Sequence, residues 1–328
     1  MSNPSGHTAR QKLPVWMQRI DPAIATSFFC ILLILLLGSF FAPNFLSPAY
    51  IVQQLKVGAF LGIAASGVML VILLGHIDLS IPWVLTAGAM MGCAAAGFGP
   101  VGAALAVPAG VLVGAGFGLI NGIGVAYLRI PAMIVTLSTN VVAQGLMVIY
   151  SGGFSPQDAA PASMRWLATG FLVPGLPNAI LVWALVGVAL VFLLTRTAYG
   201  RFIYAIGNRE SAAYLSGVST RRVVLFTFVL AGALSALAGT LLAGYASKAA
   251  QAMGDTYLLP SIAAVVLGGT SILGGKGSYI GTVAGVILIT LLQSILSVMQ
   301  MPEAGRQMTY GLVILGMLLL YGRDRKSA

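Results

Sequence analysis

The sequence predicts an all-α polytopic membrane protein, from three observations: scarce charge, long uncharged runs and a lopsided placement of basic residues. Among 328 residues, 17 are Lys or Arg and 7 are Asp or Glu, so charged side chains make up 7% of the chain, against roughly 25% in ordinary globular proteins. With 59% apolar residues there is too little charge to cover a water-facing surface. That excludes a soluble globule, a disordered chain and a secreted disulfide scaffold. No charge interrupts residues 79–128 at all. A helical crossing of a bilayer needs about 20 apolar residues, whereas barrel strands would alternate polar and apolar over about 10, which these runs do not.

The uncharged runs place ten helices, or eight or nine if the weaker ones are re-entrant. The first, 23–42, is too long for the apolar core of a signal peptide, and Ala42-Pro43 is a poor cleavage site. Helix 55–74 fills the run that ends before Asp78. The 79–128 run must hold two crossings, 82–98 and 101–127, with Gly99-Pro100 as the turn between them. Helices 131–150, 178–194, 223–245, 258–274, 279–298 and 308–322 follow, one in each remaining run. Tails at 1–22 and 323–328 flank a single membrane domain, 23–322. With a cytoplasmic N-terminus, this count puts thirteen basic residues inside and four outside (Lys56, Arg165, Lys248 and Arg306), as the positive-inside rule requires. Both tails are then cytoplasmic, and the loop 152–165 is periplasmic. The net charge of +10 is therefore a topology signal. No basic stretch carries interleaved aromatics, which removes a nucleic-acid reading.

Chemistry-bearing clusters are scarce. The two histidines, His7 and His76, lie in a tail and near a helix end, and Cys30 and Cys93 read as small packing residues in helices. No acid/base pair adjoins a nucleophile, so an enzyme is not expected. The Gly-rich run 268–277 is not a phosphate loop, because Lys276 is one place out of register and Gly277 follows it where Ser or Thr is needed. Gly is abundant (41 residues), and Gly110, Gly114 and Gly118 recur at four-residue spacing, a pattern that lets membrane helices approach closely.

Two segments stand out for transport. Leu74-Gly75-His76-Ile77-Asp78-Leu79-Ser80 and Leu267-Gly268-Gly269-Thr270-Ser271-Ile272-Leu273 each follow an apolar run, suggesting an internal duplication with broken helices along a pathway. Asp78 is expected to accept hydrogen bonds from free N–H groups at the start of the next helix. The longest cytoplasmic loop, 195–222, carries Asn208 as an N-cap, Glu210 in a first turn and Gly217 at a C′ position, giving a two-turn helix 209–216. Too short to stand alone, that helix needs a surface to pack on.

These blocks carry a resemblance. Thr197-Ala198-Tyr199-Gly200-Arg201-Phe202-Ile203-Tyr204-Ala205-Ile206-Gly207-Asn208, continuing through Glu210 to Gly217, resembles the cytoplasmic loop of ribose-type ABC importer permeases. Residues 75–80 look like that family's Gly-Gly-Ile-Asp-Leu-Ser signature, and 262–277 resembles its third block. The resemblance implies the permease subunit of an ATP-driven monosaccharide importer in a bacterial inner membrane. Its implied partners are a cytoplasmic ABC ATPase, a periplasmic sugar-binding protein and a second permease copy or sister permease. It implies no cofactor in this chain, since ATP is bound by the partner ATPase. Gly200, Arg201, Asn208, Glu210, Ala212, Ala213, Leu215 and Gly217 would couple to the ATPase, while His76, Asp78, Ser80, Thr270 and Ser271 would lie by the substrate pathway. The sequence departs from the family at His76, at Pro82-Trp83 and at Leu258 and Pro260, which puts the particular sugar in doubt. A branched-chain amino-acid permease of the same architecture and an ion-coupled transporter using Asp78 with His76 remain the alternatives.

Overall fold

A computed structural model describes residues 22–42, 44–153 and 158–324. Most of the 1–22 tail and the end of the 323–328 tail lie outside the described residues. Thirteen α-helices are described: α1 Pro22–Phe41, α2 Pro48–Leu73, α3 Ile81–Ala95, α4 Gly99–Ala104, α5 Ala106–Ala126, α6 Ala132–Tyr150, α7 Ala162–Thr169, α8 Asn178–Arg196, α9 Ala198–Leu215, α10 Thr220–Ala246, α11 Leu258–Leu267, α12 Tyr279–Val298 and α13 Glu303–Asp324. A small two-stranded ribbon, Phe171–Val173 with Leu176–Pro177, precedes α8. Seven helical segments are long and apolar enough to cross a membrane: α2, α3 continued through α4, α5, α6, α8, α10 and α12. Two shorter apolar helices, Thr26–Phe41 and Asp255–Leu267, accompany them. The all-α membrane class read from charge is therefore the class of the fold.

Several boundaries move, each for a local reason. Helix α2 begins at Pro48, not 55, because Ser47 caps it by accepting from Tyr50 N–H (3.3 Å) and proline suits the first helical position. Lys56 thus lies inside the helix, its ammonium 5.0 Å from the Tyr245 ring centre, a partner that the uncharged-run argument could not supply. The expected helix 101–127 is split at Leu105 into α4 and α5. The expected 258–274 stops at Leu267, since Gly269, Gly274 and Gly275 all take positive φ (87°, 86° and 73°) that a helix cannot hold. Residues 268–278 form a non-helical loop instead.

The core is a seam of small residues. Helix α10 packs along α2, α3 and α5. Gly114 and Gly232 face each other so closely that a Cβ on either would run into the other's carbonyl oxygen, and a Cβ on Gly239 would run into that of Leu85. Gly110 and Gly118 meet Gly88 and Phe228 in the same way. The four-residue glycine spacing is thus a contact surface, worth dispersion energy from backbones that almost touch. Cys93 is buried in the cluster with Trp83 and Met164, and both Cys30 and Cys93 are free thiols.

Candidate functional site

The three sequence blocks, far apart in the chain, meet at one end of the molecule. Helix α2 ends at Leu73, and its carbonyl accepts from the Gly275 N–H at 2.9 Å. The loop 268–278 is therefore tied to the end of α2. Helix α9 lies against both. Tyr204 donates its hydroxyl proton to the Gly277 carbonyl (2.9 Å), and Asn208 Nδ2 donates to the carbonyls of Tyr204 (2.9 Å) and Gly275 (3.5 Å). Gly207 has no room for a side chain, since a Cβ there would run into Leu73 O and lie 2.5 Å from Gly275 N. Gly274, at φ +86°, brings its backbone up to Gly75, itself at φ +81°.

This geometry corrects the reading of the 195–222 loop. It holds two helical segments, 198–208 and 210–215, joined through extended backbone at Arg209 (φ −163°, ψ 102°), so the expected two-turn helix 209–216 is present and the stretch before it is helical as well. Thr197 caps its start, its hydroxyl accepting from Gly200 N–H at 3.2 Å. Asn208 is a donor to the neighbouring loop and does not cap the second segment. Gly217 does sit where expected, at φ +83°. Its N–H donates to Tyr214 O (3.0 Å) and Val218 N–H to Ala213 O (3.1 Å), the paired bonds of a Schellman ending.

The coupling candidates separate by exposure. Gly200 and Ala213 are buried within the chain, so neither faces a partner directly. Arg201, Asn208, Ala212 and Leu215 are exposed, and the tip of α9 presents Tyr214 (67% exposed) and Leu215 (84%) outward. Glu210 is half-buried and accepts from Arg129 Nη1 at 2.6 Å. Arg129 adopts a left-handed φ of 58° in the turn between α5 and α6. Burial pushes the Glu210 carboxyl up, but the Arg129 hydrogen bond and charge outweigh it and leave the carboxyl below its ordinary value. Next to this pair, His76 is held below its ordinary value by burial, which Glu210 partly opposes. Gly75, His76, Arg129, Glu210, Arg221 and Leu273 line one cleft of ≈ 520 Å³.

The pathway candidates fall into two groups. Asp78 and Ser80 are buried, and Asp78 Oδ1 accepts from Ser80 N–H (2.8 Å) and Ser80 Oγ–H (2.6 Å). Asn121 of α5 donates to Ser80 Oγ (2.9 Å). The N–H groups of Leu79 and Trp83 find Thr136 Oγ1 (3.0 Å) and Asn140 Oδ1 (3.3 Å) on α6. Together these side chains satisfy N–H groups that the start of α3 would otherwise leave unpaired. Sequence reasoning anticipated the Asp78 acceptor but missed Asn121, Thr136 and Asn140, whose signal was a few polar residues in otherwise apolar runs. Thr270 and Ser271 belong to the other loop. Thr270 is fully buried with no partner for its Oγ1 among the described residues, and Ser271 N–H donates to Lys276 O at 2.9 Å.

Comparison with known proteins follows the same residues. Residues 50–321 match the family model described as branched-chain amino acid transport system / permease component. The chain is 35% identical to the ribose import permease protein RbsC of Bacillus subtilis (strain 168) over 316 residues, covering 95% of this chain and 94% of that protein. The RbsC of Haemophilus influenzae is 34% identical over 88% of this chain and 90% of its own length. The autoinducer 2 import system permease protein LsrC of Yersinia enterocolitica is 36% identical over 80% of this chain and 72% of its own. No solved structure matches. With a family model spanning the apolar helices and relatives aligned over almost the whole length, the chain belongs to this family of multi-pass membrane transport permeases, and is not an enzyme.

Proposed function

We propose that the chain is the permease subunit of an ATP-driven importer that carries a monosaccharide across the bacterial inner membrane. A separate ATPase docks on α9, a periplasmic binding protein delivers the sugar, and a second permease completes the pore. The chain needs no cofactor of its own. The relatives named for ribose import support the substrate class. One observation carries the mechanism: α9 is hydrogen-bonded to the loop that closes the end of α2, while its tip stays exposed. A push on Tyr214 and Leu215 would pass along α9, across its break at Arg209, into both non-helical segments, 74–80 and 268–278. Helix α11, about 15 Å long at 1.5 Å per residue, spans only half of the ~30 Å hydrocarbon layer, and the 268–278 loop would complete that passage.

In this reading ten crossings (α1, α2, α3 with α4, α5, α6, α8, α10, α11, α12 and α13) put both termini on the α9 side. The repeated loop after α2 and α11 would then be a duplicated broken helix, with Asp78, Ser80, Thr270 and Ser271 near the path and His76 at its inner end. Reconstitution in proteoliposomes with the ATPase and binding protein, and labelled ribose, galactose and leucine as substrates, tests the reading. ATP-dependent sugar uptake is expected. Leucine uptake alone would establish the amino-acid alternative that the family description also admits. Sugar uptake driven by an ion gradient without ATP would make the chain a secondary transporter.

A further inference from the structure

At the end opposite α9, a small cavity opens between the outer half of α2, the turn before α11, the last turns of α12 and the first turns of α13. Its volume is ≈ 160 Å³, well below the ~300–1,000 Å³ of sites for drug-sized ligands, so its occupant is small. Six of its eight lining side chains are polar, Tyr257, Gln293, Glu303, Arg306 and Tyr310 among them. The grooves between α8 and α12 and between α5 and α6 differ, being walled almost wholly by apolar side chains on the outside of the bundle.

The donor and acceptor set is specific. A carboxylate only accepts, a guanidinium only donates, and phenol and amide do both. Sugar hydroxyls, each donor and acceptor at once, are matched by such a mixture. Glu303 and Arg306 stand 3.6 Å apart and offset each other's charge, so the cavity has no net field to select an anion or a cation. Glu303 also accepts from Gln307 at 3.4 Å, Arg306 Nε donates to Met301 O at 3.1 Å, and Gln293 is hydrogen-bonded to Tyr310, leaving the remaining guanidinium N–H groups to other acceptors. Tyr310, 2% exposed, and Tyr257 add two aromatic side chains to the lining, the residue type on which the C–H side of a pyranose or furanose packs.

We propose that this cavity is an outer waiting site for one neutral, polyhydroxylated ligand of monosaccharide size, entered before the path opens. The proposal rests on the sugar-import reading and names residues of this chain that would touch the sugar. The full chain in nanodiscs, without ATPase or binding protein, is titrated with tritiated ribose and competed with galactose or leucine. Saturable binding is expected, displaced by galactose and not by leucine. Glu303→Gln and Tyr257→Phe should weaken it about tenfold, the scale of one hydrogen bond lost at a desolvated site. Absence of saturable binding, displacement by leucine, or equal binding in the wild type and both variants would overturn the site. Uptake by the assembled importer separates this from the larger reading. Wild-type sugar uptake with unchanged variants removes the site alone, whereas no sugar uptake by wild type removes the import reading.

Discussion

The seam of α3, α5 and α10 and the junction beneath α9 both depend on glycine, and they use it for opposite ends. Along the seam, Gly114, Gly232 and Gly239 keep ordinary helical backbone and serve by lacking a side chain, so helices touch over many turns. At the junction, Gly75, Gly274 and Gly275 take positive φ, and the contacts are a few hydrogen bonds between loops and a helix. A continuous packed surface resists sliding because every turn must separate together. Loops held by single bonds can exchange those bonds one at a time, at about 1 kcal/mol each. The seam therefore suits a fixed body and the junction a transmitting one.

Breaking the seam should have the largest effect. Gly232→Leu places a side chain against Gly114 O and the Gly118 backbone. Relief requires two helices to part, beyond the ~1–3 kcal/mol of ordinary overpacking. Little folded protein should reach the membrane, measured by fluorescence-detected size exclusion. Normal yield and an unchanged melting temperature would mean that the seam is slack.

Gly207→Val attacks the junction instead. Its side chain would collide with Leu73 O and Gly275 N, separating α9 from the end of α2 while leaving the seam alone. The expected variant inserts, elutes as a single species and binds ATPase, yet loses sugar uptake by about tenfold or more, as ~1–3 kcal/mol of overpacking implies. If uptake and stability fell together, the junction would be one more part of the rigid body.

Leu215→Asp sharpens the division further, because this residue is 84% exposed. Surface changes of this kind cost folding no more than about 0.5 kcal/mol, whereas loss of an apolar anchor at a docking centre costs about 2 kcal/mol or more. Co-purification of the ATPase should drop at least about tenfold with melting temperature unchanged. Undiminished co-purification would move the docking surface elsewhere on α9, and Ala213→Asp could not decide the matter, since Ala213 is buried in this chain.

How much of this could be read in advance depends on the type of signal. Exclusion of charge from lipid acts on every residue of a run, so the apolar helices were legible to within a few residues wherever a charge bounded them. Lys56 misled because its helix continues past it, the ammonium resting on Tyr245, and Arg306 misled in the same way, since α13 starts at Glu303 and not at 308. The end of α11 was missed because Gly, Thr and Ser at 268–271 are as uncharged as the helix they terminate. Within the site, Asp78 and Gly217 were legible from local rules about helix ends. The convergence of Leu73, Gly207 and Gly275 was not, because it is a tertiary contact between backbones, and backbones leave no mark on residue type except the glycine that permits them.

The smallest effect is expected at the Arg129–Glu210 bridge, which ties α9 to the turn before α6. Both side chains are substantially exposed (51% and 39%), so the pair contributes about 0–1 kcal/mol after solvent screening. Arg129→Ala should slow uptake less than about fivefold while raising amide exchange in 209–215. Its pH dependence follows from the direction of the Glu210 shift. A carboxyl held below its ordinary 4.5 stabilises the folded arrangement above that value and loses the contribution as pH falls through its lowered one. The pair's own contribution to protection of 209–215 should therefore stay flat from pH 8 to 5. His76 provides the contrast, since burial disfavours its charged form and any cost of charging it appears as pH falls below 6.5. If protection in the wild type declines between pH 6.5 and 5, and His76→Gln abolishes the decline, the half-buried imidazole and not the ion pair governs how firmly α9 is held.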